Sequence, residues 1–159
     1  SKLLRYIRRI SGLNIEDAED VLQDVFIKVY QNLNSFDTSL KFSSWIYRIT
    51  HNQVISNFRK KQARPQEISG DNELILNNIV SDLDMGRDID LGYARENIDK
   101  ILNSLDIKYR EVLVLKFLEE KEYKEISDIL KKPMGTVATL LNRAKKQFRE
   151  KLVQSDIKL

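Results

Sequence analysis

Phe42-Ser-Ser-Trp-Ile-Tyr-Arg-Ile-Thr-His-Asn-Gln-Val-Ile-Ser-Asn-Phe-Arg-Lys-Lys-Gln62 reads as a single amphipathic helix. Phe42, Ile46 and Ile49 recur at the helical spacings of four and three, which predicts a buried face. At roughly 100° per residue, Arg48, Asn52, Ser56 and Arg59 gather on another face within about 80° of arc. A row of cations and amides suits a nucleic acid strand, because guanidinium groups meet phosphates and amides meet base edges. Phe36, Phe42, Trp45, Tyr47 and Phe58 lie on or beside this helix. Such rings stack on unpaired bases, although rings of this size are more often core. The basic end Arg59-Lys60-Lys61 is equally compatible with a plain solvated terminus.

Upstream, Ser1 to Gly12 carries Leu3, Leu4, Ile7 and Ile10 at helical spacing and predicts a short basic helix that stops at the glycine. Residues 16–34 give the clearest helix. Leu22, Val25, Phe26, Val29 and Leu33 fall within about 100° of arc, and Asp17, Asp20 and Asp24 cluster opposite. Acids in a first turn favour the macrodipole, which accounts for Asp17 and Asp20 but not for Asp24. It does not account for Ile27 either, an apolar residue on the polar side. An acidic face with an exposed aliphatic has the composition of a protein docking surface. Ser35 to Lys41 predicts a loop, with Ser, Asp and Thr as turn formers.

Downstream of Lys61 the character changes. From Glu67 to Asp90 there are seven acids and a single base, Arg87. Residues 63–92 therefore read as an acidic linker, with Leu74 to Val80 its one apolar run. From Tyr93 onward the pattern predicts helices over about 93–103, 107–119, 123–130 and 134–153. Val112, Leu113, Leu115, Phe117 and Leu118 assign the second of these to a core. Two short helices with a Lys-Lys turn, the second long and basic, read as helix-turn-helix, with Pro133 at the first helical position. Val137, Leu141, Ala144, Phe148 and Leu152 share about 80° of arc and face the core. Thr139, Asn142, Arg143 and Lys146 lie opposite, where Arg suits guanine and Asn suits adenine in a major groove.

The fold class that follows is all-α: two small helical domains, 1–62 and 93–159, joined by an acidic linker. The first 65 residues hold eleven Lys and Arg against six Asp and Glu, and residues 100–159 hold fourteen against nine. Two basic lobes favour a polyanionic partner. His51 is the only histidine and there is no cysteine. The chain therefore offers no histidine metal cluster, thiolate site, disulfide or histidine-based catalytic pair. We expect no catalytic residue, no metal, no cofactor and no small-molecule substrate, and a cytoplasmic location.

Asp17-Ala-Glu-Asp20, Gln23-Asp24-Val-Phe26, Phe42, Trp45-Ile-Tyr-Arg-Ile49, Asn52 and Phe58-Arg-Lys-Lys61 resemble the promoter-melting region of extracytoplasmic-function sigma factors, which are specificity subunits of bacterial RNA polymerase. A second match, in the order that family has them, runs through the Tyr123-Lys-Glu-Ile126 start, Pro133-Met-Gly-Thr-Val137 and Arg143-Ala-Lys-Lys146. The resemblance implies a transcription initiation factor with core RNA polymerase, promoter DNA and an anti-sigma factor as partners. It assigns polymerase binding to Asp17, Asp20, Gln23, Asp24 and Ile27. It assigns the minus-ten element to Thr38, Ser39, Lys41, Arg48, Asn52, Ser56, Arg59 and Lys60. The minus-thirty-five element falls to Thr136, Thr139, Leu140, Asn142, Arg143 and Lys146. The loop would pocket a base flipped from the duplex. Two departures stand out, because similar proteins usually carry a basic residue at Ala138 and Arg at Leu140. Either the target differs, or Leu140 packs on a thymine methyl or a partner. The other reading is a free-standing helix-turn-helix regulator, for which the acidic face with Ile27 has no use.

Overall fold

The computed structural model describes residues 1–63 and 89–154, and every regular element among them is helical. The linker reading lies mostly outside these residues. The N-terminal lobe is built from α1 (Lys2–Ser11), α2 (Ile15–Asn32) and α3 (Phe42–Ala63). Ser1 caps α1 by accepting the Leu4 N–H, and Gly12 ends it in the left-handed region at φ 68°, donating its N–H to the Arg8 carbonyl. A side chain there would be strained, so glycine is the residue that lets the chain turn directly into α2. Asn14 caps α2 through the Asp17 N–H at 2.7 Å.

Helix α3 is the centre of the molecule. It packs against α1 and α2 and, from the C-terminal lobe, against the first helix of the helix-turn-helix. Contact on several sides explains why its buried residues do not form one stripe. Ser44, Trp45, Tyr47, Thr50, Gln53 and Val54 are buried, Ile46 and Ile49 are half-buried, and Phe42 is exposed. The expectation that Phe42 heads the buried face is thus corrected. Its ring instead stacks edge-on with Phe36 and close to Trp45, with centroids 5.2 and 5.5 Å away. Two of the buried polar residues of α3 donate inside the lobe: Thr50 to the Ile46 carbonyl and Gln53 to Asp24 at 2.9 Å.

The C-terminal lobe comprises α4 (Ile89–Ser104), α5 (Ile107–Leu113), α6 (Tyr123–Leu130) and α7 (Met134–Gln154). Helix α4 opens at Ile89, ahead of the Tyr93 expected from sequence. Helix α5 does not run on as α-helix to 119. From Val114 to Leu118 it widens into a π turn, in which the Glu119 N–H reaches back to the Val114 carbonyl at 2.9 Å. The extra residue per turn keeps Val114 and Leu115 buried but turns Phe117 outward, 53% exposed, against its expected place in the core. Lys131 closes α6 in the left-handed region at φ 54°. Ser127 then secures the turn by donating to the Lys132 carbonyl at 2.6 Å. Pro133 sits just before α7 as its cap, one residue earlier than predicted, its carbonyl accepting the Val137 N–H.

The two lobes share one apolar core. Tyr6, Ile7, Ile10, Val21, Val25 and Val54 are continuous with Leu105, Val112, Leu115, Ile126, Leu130 and Leu141. Arg110 fastens the join. Its guanidinium donates to the carbonyls of Leu102, Asn103 and Leu105 at the end of α4 and to that of Ile10 at the end of α1. Burial lowers its pKa and Asp106 opposes that shift, but a guanidinium keeps its proton in such surroundings. Arg110→Met keeps the stem and removes every donor. We expect it to destabilise the protein by on the order of 3 kcal/mol in a denaturant titration, since buried carbonyls lose a charged partner.

Glu125 makes the second join. One carboxylate oxygen accepts the Glu122 N–H at 3.0 Å, capping α6. The other receives Lys41 and Ser44 from the start of α3, each at 3.5 Å. Burial alone would raise this carboxyl, but the Glu122 N–H, Lys121 and Lys41 outweigh it and hold the pKa below the ordinary glutamate value. A depressed pKa means the contribution is present above the unfolded value and lost as pH falls through the folded one. Acidifying below the ordinary glutamate range should therefore loosen α6 from α3, seen as chemical-shift changes at Ser44 and Glu122. Glu125→Gln should abolish that acid transition.

Candidate functional site

Three surfaces carry the residues that the sequence singles out. The first is the outward side of α2. Its buried line is Ala18, Val21 and Val25, with Leu22 and Val29 half-buried. Phe26 and Leu33, expected in the core, are exposed instead, together with Ile27 and with Tyr30 at 82%. The helix is rolled so that β-branched Val21 and Val25 face inward and the larger side chains face out. Glu19, Asp20 and Gln23 are exposed on the same helix. The result is an acidic beginning and an apolar end on one exposed face, larger than Ile27 alone suggested. Two of the expected docking acids have internal duties. Asp24 accepts the bond from Gln53, and Asp17 pairs with Lys61 at 3.4 Å, tying α2 to the far end of α3.

The second surface is the loop before α3 and the polar row along it. Asp37 shapes the loop by accepting the Ser39 N–H at 2.9 Å, and the Leu40 N–H returns to the Asp37 carbonyl. Hydrogen bonds from the Ser39 side chain and from its N–H hold the Asp37 carboxyl below its usual value. Thr38, Ser39 and Lys41 are exposed on this turn. Asn52, Ser56, Arg59 and Lys60 are exposed along α3, and Arg48 is half-exposed. From Arg48 to Arg59 the row spans about 16 Å at 1.5 Å per residue, long enough to follow several nucleotides. Of the five rings, Trp45 and Tyr47 are interior, whereas Phe42 and Phe58 present surface to solvent. Phe36, the fifth, is half-buried.

The third surface is α7. Val137, Leu141 and Ala144 are buried, and Phe148 packs against them. Thr136, Thr139, Asn142, Arg143 and Lys146 are exposed on the other side. The Thr139 hydroxyl donates to the Gly135 carbonyl at 3.0 Å, so its remaining capacity is as an acceptor. Leu140 does not stand free in this row. It is half-buried against the core, because it lies at the edge of the Val137–Leu141 stripe. An aliphatic side chain at that position extends the core.

His51, the single histidine, is at a helix–helix boundary, its Nε2 at 2.8 Å from the Glu111 carboxylate on α5. Among the described residues no group of three His, Asp or Glu could hold a metal ion, and no helix is long and apolar enough to cross a membrane. What the sequence reading missed is the set of carboxylates that α5 and its π turn present to the N-terminal lobe, Glu111 and Glu119. Their partners lie 60 or more positions away, where no local pattern signals them.

The chain is similar to known proteins in sequence and in fold. Residues 1–64 match the model of Sigma-70 region 2, and residues 95–148 match Sigma-70, region 4. The ECF RNA polymerase sigma factor SigW of Bacillus subtilis is 36% identical over 156 residues, covering 95% of this chain and 83% of the relative. The ECF RNA polymerase sigma-E factor of Haemophilus influenzae is 28% identical over 163 residues, covering 93% and 84%. In fold, the chain is similar to the sigma factor RpoE from Bartonella quintana, solved with the anti-sigma factor NepR. That likeness has a TM-score of 0.69 at 20% identity and covers 98% of this chain and 91% of the other. It is similar also to CnrH, solved with the cytosolic domain of CnrY, with a TM-score of 0.67 at 24% identity, covering 98% and 82%.

Proposed function

The chain belongs to the sigma-70 family, as one of the extracytoplasmic-function sigma factors that direct RNA polymerase to promoters, and we propose how its three exposed surfaces divide that work. Sigma factors are non-catalytic initiation factors, and on this reading the chain supplies binding and melting but no covalent chemistry. It works beside the polymerase in the cytoplasm. Domain 1–62 docks on the polymerase and opens DNA, domain 93–159 reads the upstream element, and 63–92 joins them.

Helix α2 docks on core RNA polymerase through Asp20, Gln23 and Ile27, extended by Phe26 and Tyr30, with Asp17 and Asp24 bracing the helix against α3. An acidic and apolar face of this kind fits a basic partner with an apolar seat. The loop residues Thr38, Ser39 and Lys41 and the row Arg48, Asn52, Ser56, Arg59 and Lys60 hold the displaced strand at the minus-ten element. Thr136, Asn142, Arg143 and Lys146 enter the major groove at the minus-thirty-five element, Arg143 as the base reader and Lys146 as a phosphate contact. Leu140 supports that helix from the core side.

The observation that carries this reading is that three chemically distinct faces are exposed at once, on α2, on α3 with its preceding loop, and on α7. A free-standing regulator has no use for the α2 face. The RpoE chain similar to this one is solved with an anti-sigma factor. We extend an anti-sigma partner to this chain as well. The direct test is run-off transcription with core polymerase, with and without this protein, on the DNA upstream of its own gene.

Two substitutions separate the surfaces. Asp20→Lys with Ile27→Asp should abolish copurification with core polymerase while the far-UV circular dichroism stays unchanged; retained copurification would remove α2 as the docking face. Arg143→Ala should weaken binding by about 1–3 kcal/mol and relax discrimination at one base pair, as loss of a bidentate base contact does. A uniform loss across all sequences, measured by competition binding, would make Arg143 a phosphate contact instead.

A further inference from the structure

A cavity of about 310 Å³ lies inside the C-terminal lobe, between α4, the end of α5 and α7. Ile98 and Leu102 come from α4, Leu113, Phe117 and Leu118 from α5 and its π turn, and Phe148 from α7. The Phe117 ring, which a regular helix would carry inward, is exposed and forms the outer wall instead. With apolar side chains on every element around it, water inside finds few partners. At about 30 Å³ per water the space holds on the order of ten, and a methylene is of similar size. An unbranched chain of about ten carbons therefore fills it and displaces water that is poorly held.

Two cations complete the lining, Lys145 and Arg149. They stand one turn apart on α7, so both heads serve the same side of the helix. The Lys145 ammonium is held over the exposed Phe117 ring, 5.4 Å from its centroid, and Arg149 is itself exposed. Among the described residues no carboxylate pairs with either cation. Both are placed at the mouth, where a buried alkyl chain would end. An anionic head there meets an ammonium and a guanidinium, and the guanidinium fork matches a carboxylate. The exposed apolar face of α2 is the contrast. There Phe26, Ile27 and Tyr30 share the helix with Glu19 and Asp20, which repel the same head.

We propose that this cavity binds a free medium-chain fatty acid, its alkyl chain lying between α4, α5 and α7 and its carboxylate on Lys145 and Arg149. The occupant touches all three elements and so braces α4 against α7. Binding requires neither polymerase nor DNA, and it stands whether or not the promoter reading does.

Titration of the full chain with decanoate, kept below the concentration at which it forms micelles, tests this by methyl NMR. We expect saturable shifts at Ile98, Leu102, Leu113 and Leu118, with contacts from the alkyl protons to the Phe117 and Phe148 rings. From hexanoate to decanoate the affinity should rise about four-fold per methylene, and longer chains should add little. Decanol has the same chain without the charge and should bind roughly ten-fold more weakly. Lys145→Gln with Arg149→Gln should weaken decanoate by roughly ten-fold and leave decanol unchanged, at unaltered helical content. Absence of saturable shifts at the four methyl-bearing residues would overturn the site, as would shifts concentrated at Ile27 and Leu33 on α2. Equal affinity for decanoate and decanol, or a double variant that binds decanoate like the wild type, would overturn the two cations as the seat of the head. Shifts at the same four residues on concentrating the protein alone would make a second copy the occupant and overturn the fatty acid.

Discussion

The structure depends on one demand placed on α3: it must be interior on several sides and still leave a polar row free. A helix surrounded by neighbours ordinarily becomes apolar all round. Here Arg48, Asn52, Ser56 and Arg59 stay at the surface, while Thr50 and Gln53 go inside. Both interior residues donate hydrogen bonds, Thr50 to its own helix and Gln53 to Asp24. A buried polar group with a partner specifies one register between two helices, because sliding either one leaves a donor unpaired. The Gln53–Asp24 bond therefore sets how α2 lies on α3, and with it which side of α2 is left outward.

Charge explains why the lobes meet where they do. Both lobes carry more cations than acids, and two such bodies repel at long range. At the seam the balance is reversed locally. Glu111, Glu119 and Glu125 come from the C-terminal lobe and face Arg9, Lys41 and His51. The apolar residues behind them contribute the area, and the acids remove the electrostatic objection to burying it.

Much of this was legible from local pattern. Gly12 announced the end of α1, and the Val137–Ala144 spacing announced which side of α7 is buried, because each signal lies within a few residues. The helix-turn-helix and the polar row on α3 were legible for the same reason. The roll of α2 was not: Phe26 and Leu33 fit a buried arc as well as Val21 does, and only the partner helix decides between them. Phe117 was misplaced because the helical period assumed through 107–119 fails at the π turn. Leu140 was read toward DNA or a partner, and its half-burial against the core depends on helices elsewhere in the fold. Asp24 read as a docking acid, and its bond to Gln53 spans 29 positions, beyond any periodicity.

The π turn from Val114 to Leu118 also acts as a phase adjuster. An α-helix advances about 100° with each residue, so one surplus residue in a turn re-aims all that follows it by that angle. Taking a single residue out of this stretch would let α5 continue in regular α geometry. Glu119 would then rotate away from Tyr47 and Arg9, Phe117 would rotate toward the interior, and α6 would leave α5 on a different bearing. A change of one in the length of this five-residue segment thus works like a gear shift between the lobes, altering how they are set against each other.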